Sequence, residues 1–380
     1  MELKLDTSKV YAIALEGGGA RGAYQVGAWK ALCEAGIKYN AVSGCSVGAL
    51  NGALMAMRNL ETAEKLWLDM HFSRVMNVDD KTMSNLIKGR LLSLDFSHIH
   101  QSLKRVISEG GFDVTPLRNL IAESVDYKKI ISEGVDFYIS TYSLTDKIGL
   151  DLRASDLNRQ ELCNMLLASA YFPAFKNEPL GGKKYTDGGA FNVFPISPLI
   201  DNGYKDIIAI RLFGLGVEKR VKIPNGVMIN TIAPTRDLGN MMDFDAEPCR
   251  NNFKLGYYDA KRTLYGLYGI KYYIDRTLTE KEAYDILSKI ATLYFTEDEP
   301  LSLRQINEVF IPKISRELTF TGDYYDMLID FIESVAHRYK IDEFKIMTDR
   351  ELLDILCNIS KTRRTATGPA KYISGGKWYE

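Results

Sequence analysis

Histidine is scarce in this 380-residue chain: only His71, His98, His100 and His337 occur, and none sits in a glycine-rich turn after a strand-like run. A serine nucleophile would have to draw its base from other side chains. The five cysteines (Cys33, Cys45, Cys163, Cys249, Cys357) are odd in number and scattered, with no C-x-x-C pair. That argues against a disulfide framework and a zinc site, and it suits a reducing compartment. Charge excess is also missing: 48 Lys and Arg face 49 Asp and Glu, so no global field draws the molecule onto nucleic acid, and no nucleic-acid partner is expected. No internal repeat or low-complexity tract stands out. The apolar run Val10–Leu15 after Lys4 and Lys9 is shorter than the core of a secretory signal, so the start reads as mature protein.

One chargeless stretch, from Tyr39 to Met57, approaches the roughly 20 residues that span a bilayer. Asn40, Ser43, Gly44, Ser46, Gly48, Asn51 and Gly52 are spread through it, too many polar or flexible positions for a lipid-exposed helix. A buried strand, a tight turn and a buried helix describe it better. What the chain does have is a globular composition, 46% apolar, 11% aromatic and 26% charged, enough for a packed core of one large domain or two.

The first 60 residues alternate strand and helix. Val10–Leu15 reads as a strand ending in Gly17-Gly18-Gly19, and Tyr24–Leu32 continues at helical spacing until Gly36. Tyr39–Val42, the run Gly44–Gly48 and a helix to Met57 repeat the unit. Residues 60 to 135 look helical, with Thr115-Pro116 as a start signal in which Thr caps and Pro takes the first turn. Strand signals return at Val135–Tyr142 and Asp206–Phe213, the latter continuous enough to be buried on both faces. Helices between strands imply an α/β fold with a mainly parallel sheet flanked by helices. Beyond about 240 the pattern is helices only, as at Glu280–Tyr294 and Tyr324–Tyr339. The domain division drawn from this is an α/β domain over 1–235 and a helical region with a basic tail over 236–380.

Three segments carry chemistry. Gly44-Cys45-Ser46-Val47-Gly48 has the G-x-S-x-G spacing of a nucleophile elbow, in which a sharp strand-to-helix turn leaves the serine hydroxyl exposed at a helix N-terminus. The bland alternative is a serine capping a helix after a glycine turn. Gly17-Gly18-Gly19-Ala20-Arg21-Gly22 fits a dinucleotide-binding loop, but the second strand ends in Ala41-Val42-Ser43-Gly44 without the carboxylate that would hold a ribose. The same glycines could instead offer unobstructed N–H groups as an oxyanion hole beside Ser46, or serve only as a packing turn. Lys184-Tyr185-Thr186-Asp187-Gly188-Gly189 places an aspartate on a glycine turn, which in isolation is also a common hairpin signal.

In this order the three segments resemble the patatin-like phospholipase family, whose pattern is a G-G-G-x-[KR]-G loop, a G-x-S-x-G elbow and a distant D-G-[GA]. Ala168-Ser169-Ala170-Tyr171-Phe172-Pro173 adds a stretch similar to one that precedes the family's aspartate. The likeness runs over about residues 10 to 210; no motif beyond about 240 matches, and Cys45 is a modest variation. It implies the three-layer α/β/α form of the fold, and a Ser–Asp dyad, with Ser46 as nucleophile and Asp187 as base, in a carboxylic ester hydrolase acting on phospholipid or other acyl-ester lipid. It needs neither cofactor nor metal. Gly17, Gly18, Gly19 and Val47 are the candidate oxyanion donors, and Arg21 either contacts the acyl or phosphate group or forms a salt bridge on the first helix.

Residues 66 to 112, with Trp67, Met70, Phe72, Met76, Leu91, Leu92, Leu94 and Phe96, could wall or cover an acyl pocket, or be an ordinary helical insertion. Basic and aromatic residues in the last twenty positions (Lys361, Arg363, Arg364, Lys371, Tyr372, Lys377, Trp378, Tyr379) suit an anionic lipid interface or a solvated tail. The location expected is cytoplasmic, with peripheral membrane contact. Two other classes stay open: a dinucleotide-dependent oxidoreductase using residues 17–22, and a non-catalytic lipid-binding scaffold. Oligomeric state is not legible.

Overall fold

The computed structural model describes residues 1–92, 110–295, 302–313 and 322–362. Leu91, Leu92, Leu94, Phe96, His98, His100 and the basic tail carry expectations that lie outside the described side chains. The chain forms two compact units, Leu3–Leu264, and Met1–Glu2 with Tyr265–Glu380.

The first unit is built on strands β1 (Val10–Leu15), β2 (Lys38–Cys45), β3 (Asp136–Ser143), β4 (Ile148–Arg153), β5 (Tyr185–Thr186), β6 (Asp206–Ile210) and β7 (Met228–Ile232). They make one sheet in the order β4-β3-β2-β1-β6-β7, with β5 also paired to β3. β3, β2, β1, β6 and β7 run parallel, while β4 and β5 are antiparallel to β3. The central strands are apolar and buried on both faces, as a parallel sheet covered by helices requires. Ala12, Ala14, Ala41, Ile207 and Ala209 face one side, packed with Val193, Phe194, Ile196 and Leu199. Alternate positions such as Ile13, Val42 and Ile208, equally buried, point to the other. β4 and β7 are the edge strands, and β4 is largely accessible.

Helix α1 (Ala23–Glu34) links β1 to β2, and α2 (Val47–Ala56) leaves β2 and packs back on it. Then follow α3 (Leu60–Leu68), α4 (Asp80–Leu92), α5 (Thr115–Ser124), α6 (Tyr127–Ser132), α7 (Arg159–Ser169), α8 (Ser197–Asp201) and α9 (Ala246–Tyr265). The Tyr39–Met57 stretch is thus strand, turn and helix, and no helix among the described residues is long and apolar enough to cross a membrane. Thr115 does not cap its helix: it is the first helical residue, and the Asp113 side chain accepts from its N–H at 2.9 Å.

Helix α9 lies beyond the boundary expected at 235, yet it belongs to the first unit. Its backbone crosses α1 so closely that a Cβ on Gly27 would stand 1.9 Å from the Phe253 carbonyl oxygen, and one on Gly256 1.9 Å from that of Tyr24. Two facing glycines let the helices touch backbone to backbone, a contact that the composition change near 240 does not reveal.

The second unit is not purely helical. β8 (Tyr273–Asp275) and β9 (Ile346–Thr348) pair in parallel, joined by α10 (Glu280–Phe295) and α11 (Tyr324–Arg338) and followed by α12 (Asp349–Thr362). Strands of three residues leave no periodic signature. Leu287, Leu328, Ile332 and Leu352 form the core with Tyr272, and Tyr273 is buried too, so these tyrosines are interior contacts. Buried Asp349 accepts from the N–H groups of Thr277 and Leu278, and Glu333 from those of Ile270, Lys271 and Tyr272, each carboxylate closing a loop that the short strands cannot hold alone.

Candidate active site

Parallel strands deliver their C-terminal ends to one edge of the sheet, the edge where open α/β folds place their sites. Leu15 pairs with Gly44 and Cys45 with Ser140, so the loops after β1 and β2 emerge side by side. β5 returns antiparallel with Thr186 opposite Tyr142, which carries the next residue, Asp187, back to the same edge. Two side chains 141 residues apart meet there: the Ser46 hydroxyl donates to Asp187 Oδ2 at 2.6 Å.

The elbow is as tight as the motif demands. A Cβ on Gly44 would lie 2.2 Å from the Gly48 carbonyl oxygen, and one on Gly48 2.4 Å from that of Leu15. Ser46 itself sits at φ 54°, ψ −126°, in the positive-φ range that L-residues avoid. Such strain persists only where surrounding bonds over-determine it. Here buried Ser169 does so: its hydroxyl accepts from the Ser46 N–H at 2.8 Å and donates to the Ser140 carbonyl at 2.6 Å, tying the turn to β3.

Asp187 is held at three points. Its N–H donates to the Tyr171 carbonyl at 2.8 Å, and its Oδ1 accepts from the Gly189 N–H at 2.8 Å, leaving Oδ2 for Ser46. Burial pushes the carboxyl up to about 6; the two hydrogen bonds pull the other way, and no cation among the described residues forms an ion pair with it. A carboxylic acid that titrates near neutrality is a better proton acceptor than one at the ordinary value of about 3.9.

The pair opens into an apolar cleft enclosing about 780 Å³ with its mouth, lined by the glycine loop, Leu50, Trp67, Met70, Leu117, Phe172 and Leu215 among others. A second apolar hollow of about 460 Å³ shares Leu50, Trp67, Met70, Leu117 and Leu120 with it. Of the insertion expected to wall a pocket, Trp67 and Met70 do so, whereas Phe72 is buried edge-on to Phe244.

Gly18, Gly19 and Val47 also line the cleft, and their N–H groups have no acceptor among the described residues. Val47 begins α2, whose N-terminus favours negative charge. Gly17 differs: its N–H is taken by the Val193 carbonyl at 2.9 Å, so it forms wall and not donor. Arg21 does not reach the cleft. Its guanidinium donates to the carbonyls of Gly239 (2.9 Å), Phe213 (3.0 Å) and Leu212 (3.3 Å), a strut between loops. No histidine among the described residues lines the cleft either: His71 accepts from Arg74, and His337 bonds Glu343 in the second unit.

Sequence reasoning missed the supports. Glu16, 1% exposed, accepts from Arg211 Nε at 2.8 Å and from the N–H groups of Leu212, Phe213 and Gly214. This capture ends β6 at Ile210, earlier than the strand expected to reach Phe213. Behind the glycine loop, Gln25 donates to the Glu16 carbonyl, Asn51 to Gln25 and Gly22, and Trp67 to Asn51. The available signal was a carboxylate directly after an apolar strand and lone amides on otherwise apolar helices.

Fold and site together define a mostly parallel α/β protein with a strained serine at a strand-to-helix turn, bonded to an aspartate from a distant turn. Residues 13–200 match the patatin-like phospholipase family, so the chain carries a patatin-like phospholipase domain over those residues. It is 28% identical over 204 residues to patatin-like phospholipase domain-containing protein 7 of Rattus norvegicus, covering 54% of this chain and 14% of that one. It is 27% identical over 198 residues to lysophospholipase NTE1 of Cryptococcus neoformans, covering 52% and 11%. The chain therefore spans only a small fraction of those relatives' length. Among solved structures, VipD from Legionella pneumophila aligns over 94% of this chain and 81% of its own at 12% identity, with a TM-score of 0.39.

Proposed function

We propose that the chain is a serine lipid acyl hydrolase of the phospholipase A or lysophospholipase type, working through a Ser46–Asp187 dyad. The observation that carries this reading is the 2.6 Å bond from Ser46 Oγ to Asp187 Oδ2 at the base of an apolar cleft whose wall holds unpaired amide donors. The patatin-like phospholipase domain and the lysophospholipase among the chain's relatives support a lipid ester as substrate.

In this mechanism the acyl chain lies along Leu50, Trp67, Met70 and Leu117, with its ester carbonyl over Ser46. Ser46 Oγ attacks the carbonyl carbon as Asp187 Oδ2 takes the hydroxyl proton. The developing oxyanion is received by the N–H groups of Gly18, Gly19 and Val47, each such donor contributing about 3–4 kcal/mol in comparable sites. Asp187 returns the proton to the leaving alcohol; a water molecule then gives one proton to Asp187 and its hydroxide to the acyl carbon, and as the acyl–Ser46 bond breaks Asp187 passes that proton to Ser46 Oγ, releasing fatty acid and the free serine. Gly189 keeps Oδ1 occupied, so that Oδ2 alone handles the proton.

The place of action we infer is the cytoplasmic surface of a membrane, supported by the free state of all the described cysteines. A digest of mixed phospholipids and lysophospholipids by the wild type and by Ser46→Ala tests the reading: fatty acid appears with the wild type alone, and equal release by both discards Ser46 as nucleophile.

A further inference from the structure

The segment after β6 holds an unusual combination. Its backbone is pinned from three sides: by the Glu16 carboxylate on the N–H groups of Leu212, Phe213 and Gly214, by Arg21 on the carbonyls of Leu212 and Phe213, and by Val217, which exchanges hydrogen bonds with Gly189 (2.8 Å) and Val193 (2.7 Å). Phe213 is held at φ 49°, in the left-handed region. The side chains nevertheless turn outward. Phe213 is 57% exposed, Leu215 80% and Val217 52%, and Leu215 also lines the mouth of the cleft.

Cations follow immediately. Lys219, Arg220 and Lys222 are exposed, and neither Arg220 nor Lys222 has an ion-pair partner among the described residues. The one carboxylate in the stretch, Glu218, is taken by Arg211 at 2.7 Å. Scattered exposed apolar residues are ordinary, but three on one rigid loop beside unpaired cations call for a partner with both chemistries.

We propose that the segment Phe213–Lys222 is the surface by which this protein docks on an anionic phospholipid bilayer, setting the cleft mouth at the interface. The apolar side chains enter among the acyl chains while Arg220 and Lys222 meet lipid phosphates and carboxylates. A pinned backbone suits this role, since insertion then orders little that was free. Because Val217 bonds Gly189, two residues from Asp187, the docked loop and the reacting pair form one rigid block. The inference rests on reading the cleft as a lipid site.

The test is sedimentation of the full chain with phosphatidylcholine vesicles, with and without phosphatidylserine. Two double variants are compared: Phe213→Asn with Val217→Ser, where Asn tolerates positive φ, and Arg220→Gln with Lys222→Gln. The wild type should bind the phosphatidylserine vesicles and release with salt. Each variant should lose about tenfold or more in partitioning, while retaining wild-type melting and wild-type turnover of a water-soluble short-chain p-nitrophenyl ester. Equal binding to phosphatidylcholine alone, or wild-type binding by either variant, overturns the proposal. Failure of the wild type to cleave the short ester would remove the hydrolase reading instead, and sedimentation would still decide the docking surface.

Discussion

Replacing Asp187 with Asn should stabilise the protein while abolishing its chemistry. Burial raises this carboxyl to about 6, against 3.8 for an unperturbed aspartate. The folded state therefore holds the proton more tightly than the unfolded state, and its stability falls as pH rises from about 4 to about 6. At neutral pH that leaves a cost of about 3 kcal/mol for keeping the buried carboxylate charged. An amide carries no charge, and it can keep both bonds: Oδ1 accepts from Gly189 and Nδ2 donates to a Ser46 hydroxyl turned round. Denaturant unfolding at pH 7 should show Asp187→Asn more stable by about 1–3 kcal/mol, with the gap closing at pH 4. Turnover of a short p-nitrophenyl ester should fall at least about 100-fold. The wild-type rate should need the ionised acid, declining tenfold per pH unit below about 6. A variant that is less stable than the wild type at pH 7, or that keeps its rate, contradicts this account of Asp187.

Three further outcomes follow from the packing. Ser169→Ala leaves the Ser46 N–H without its acceptor, so it should lose about 1–3 kcal/mol in denaturant unfolding and lower kcat more than it raises KM. Leu120→Trp fills the wall shared by the two apolar hollows, and should depress hydrolysis of long-chain esters relative to short ones in a chain-length series. Gly27→Ala drives a methyl group against the Phe253 carbonyl, and should cost about 3 kcal/mol or more, read as a fall in melting temperature with the short-ester KM unchanged.

The parts of the structure legible in the sequence are those governed by local rules. β1 ends where the glycines begin, and α2 starts one residue after Ser46, because strand burial and the crowding at Gly44 and Gly48 both act within a few residues. Pairing Ser46 with Asp187 depended on recognising three motifs in order; no spacing rule foretells that β5 runs antiparallel to β3. Edge strands such as β4 and the three-residue pair β8–β9 are too short or too solvated for their periodicity to register. Arg21 was legible as a basic residue in the right motif position, but its engagement with three carbonyls from residues 212–239 is a tertiary fact. The same holds for Glu16, whose bonds lie nearly 200 positions away along the chain.

The central claim is that Ser46 is a nucleophile activated by Asp187 beneath amide donors. Labelling with a fluorophosphonate probe, followed by peptide mass spectrometry, addresses it directly. The adduct should sit on Ser46 in the wild type, vanish in Ser46→Ala and form far more slowly in Asp187→Asn. An adduct on any other residue, or equal labelling of all three proteins, would contradict the account.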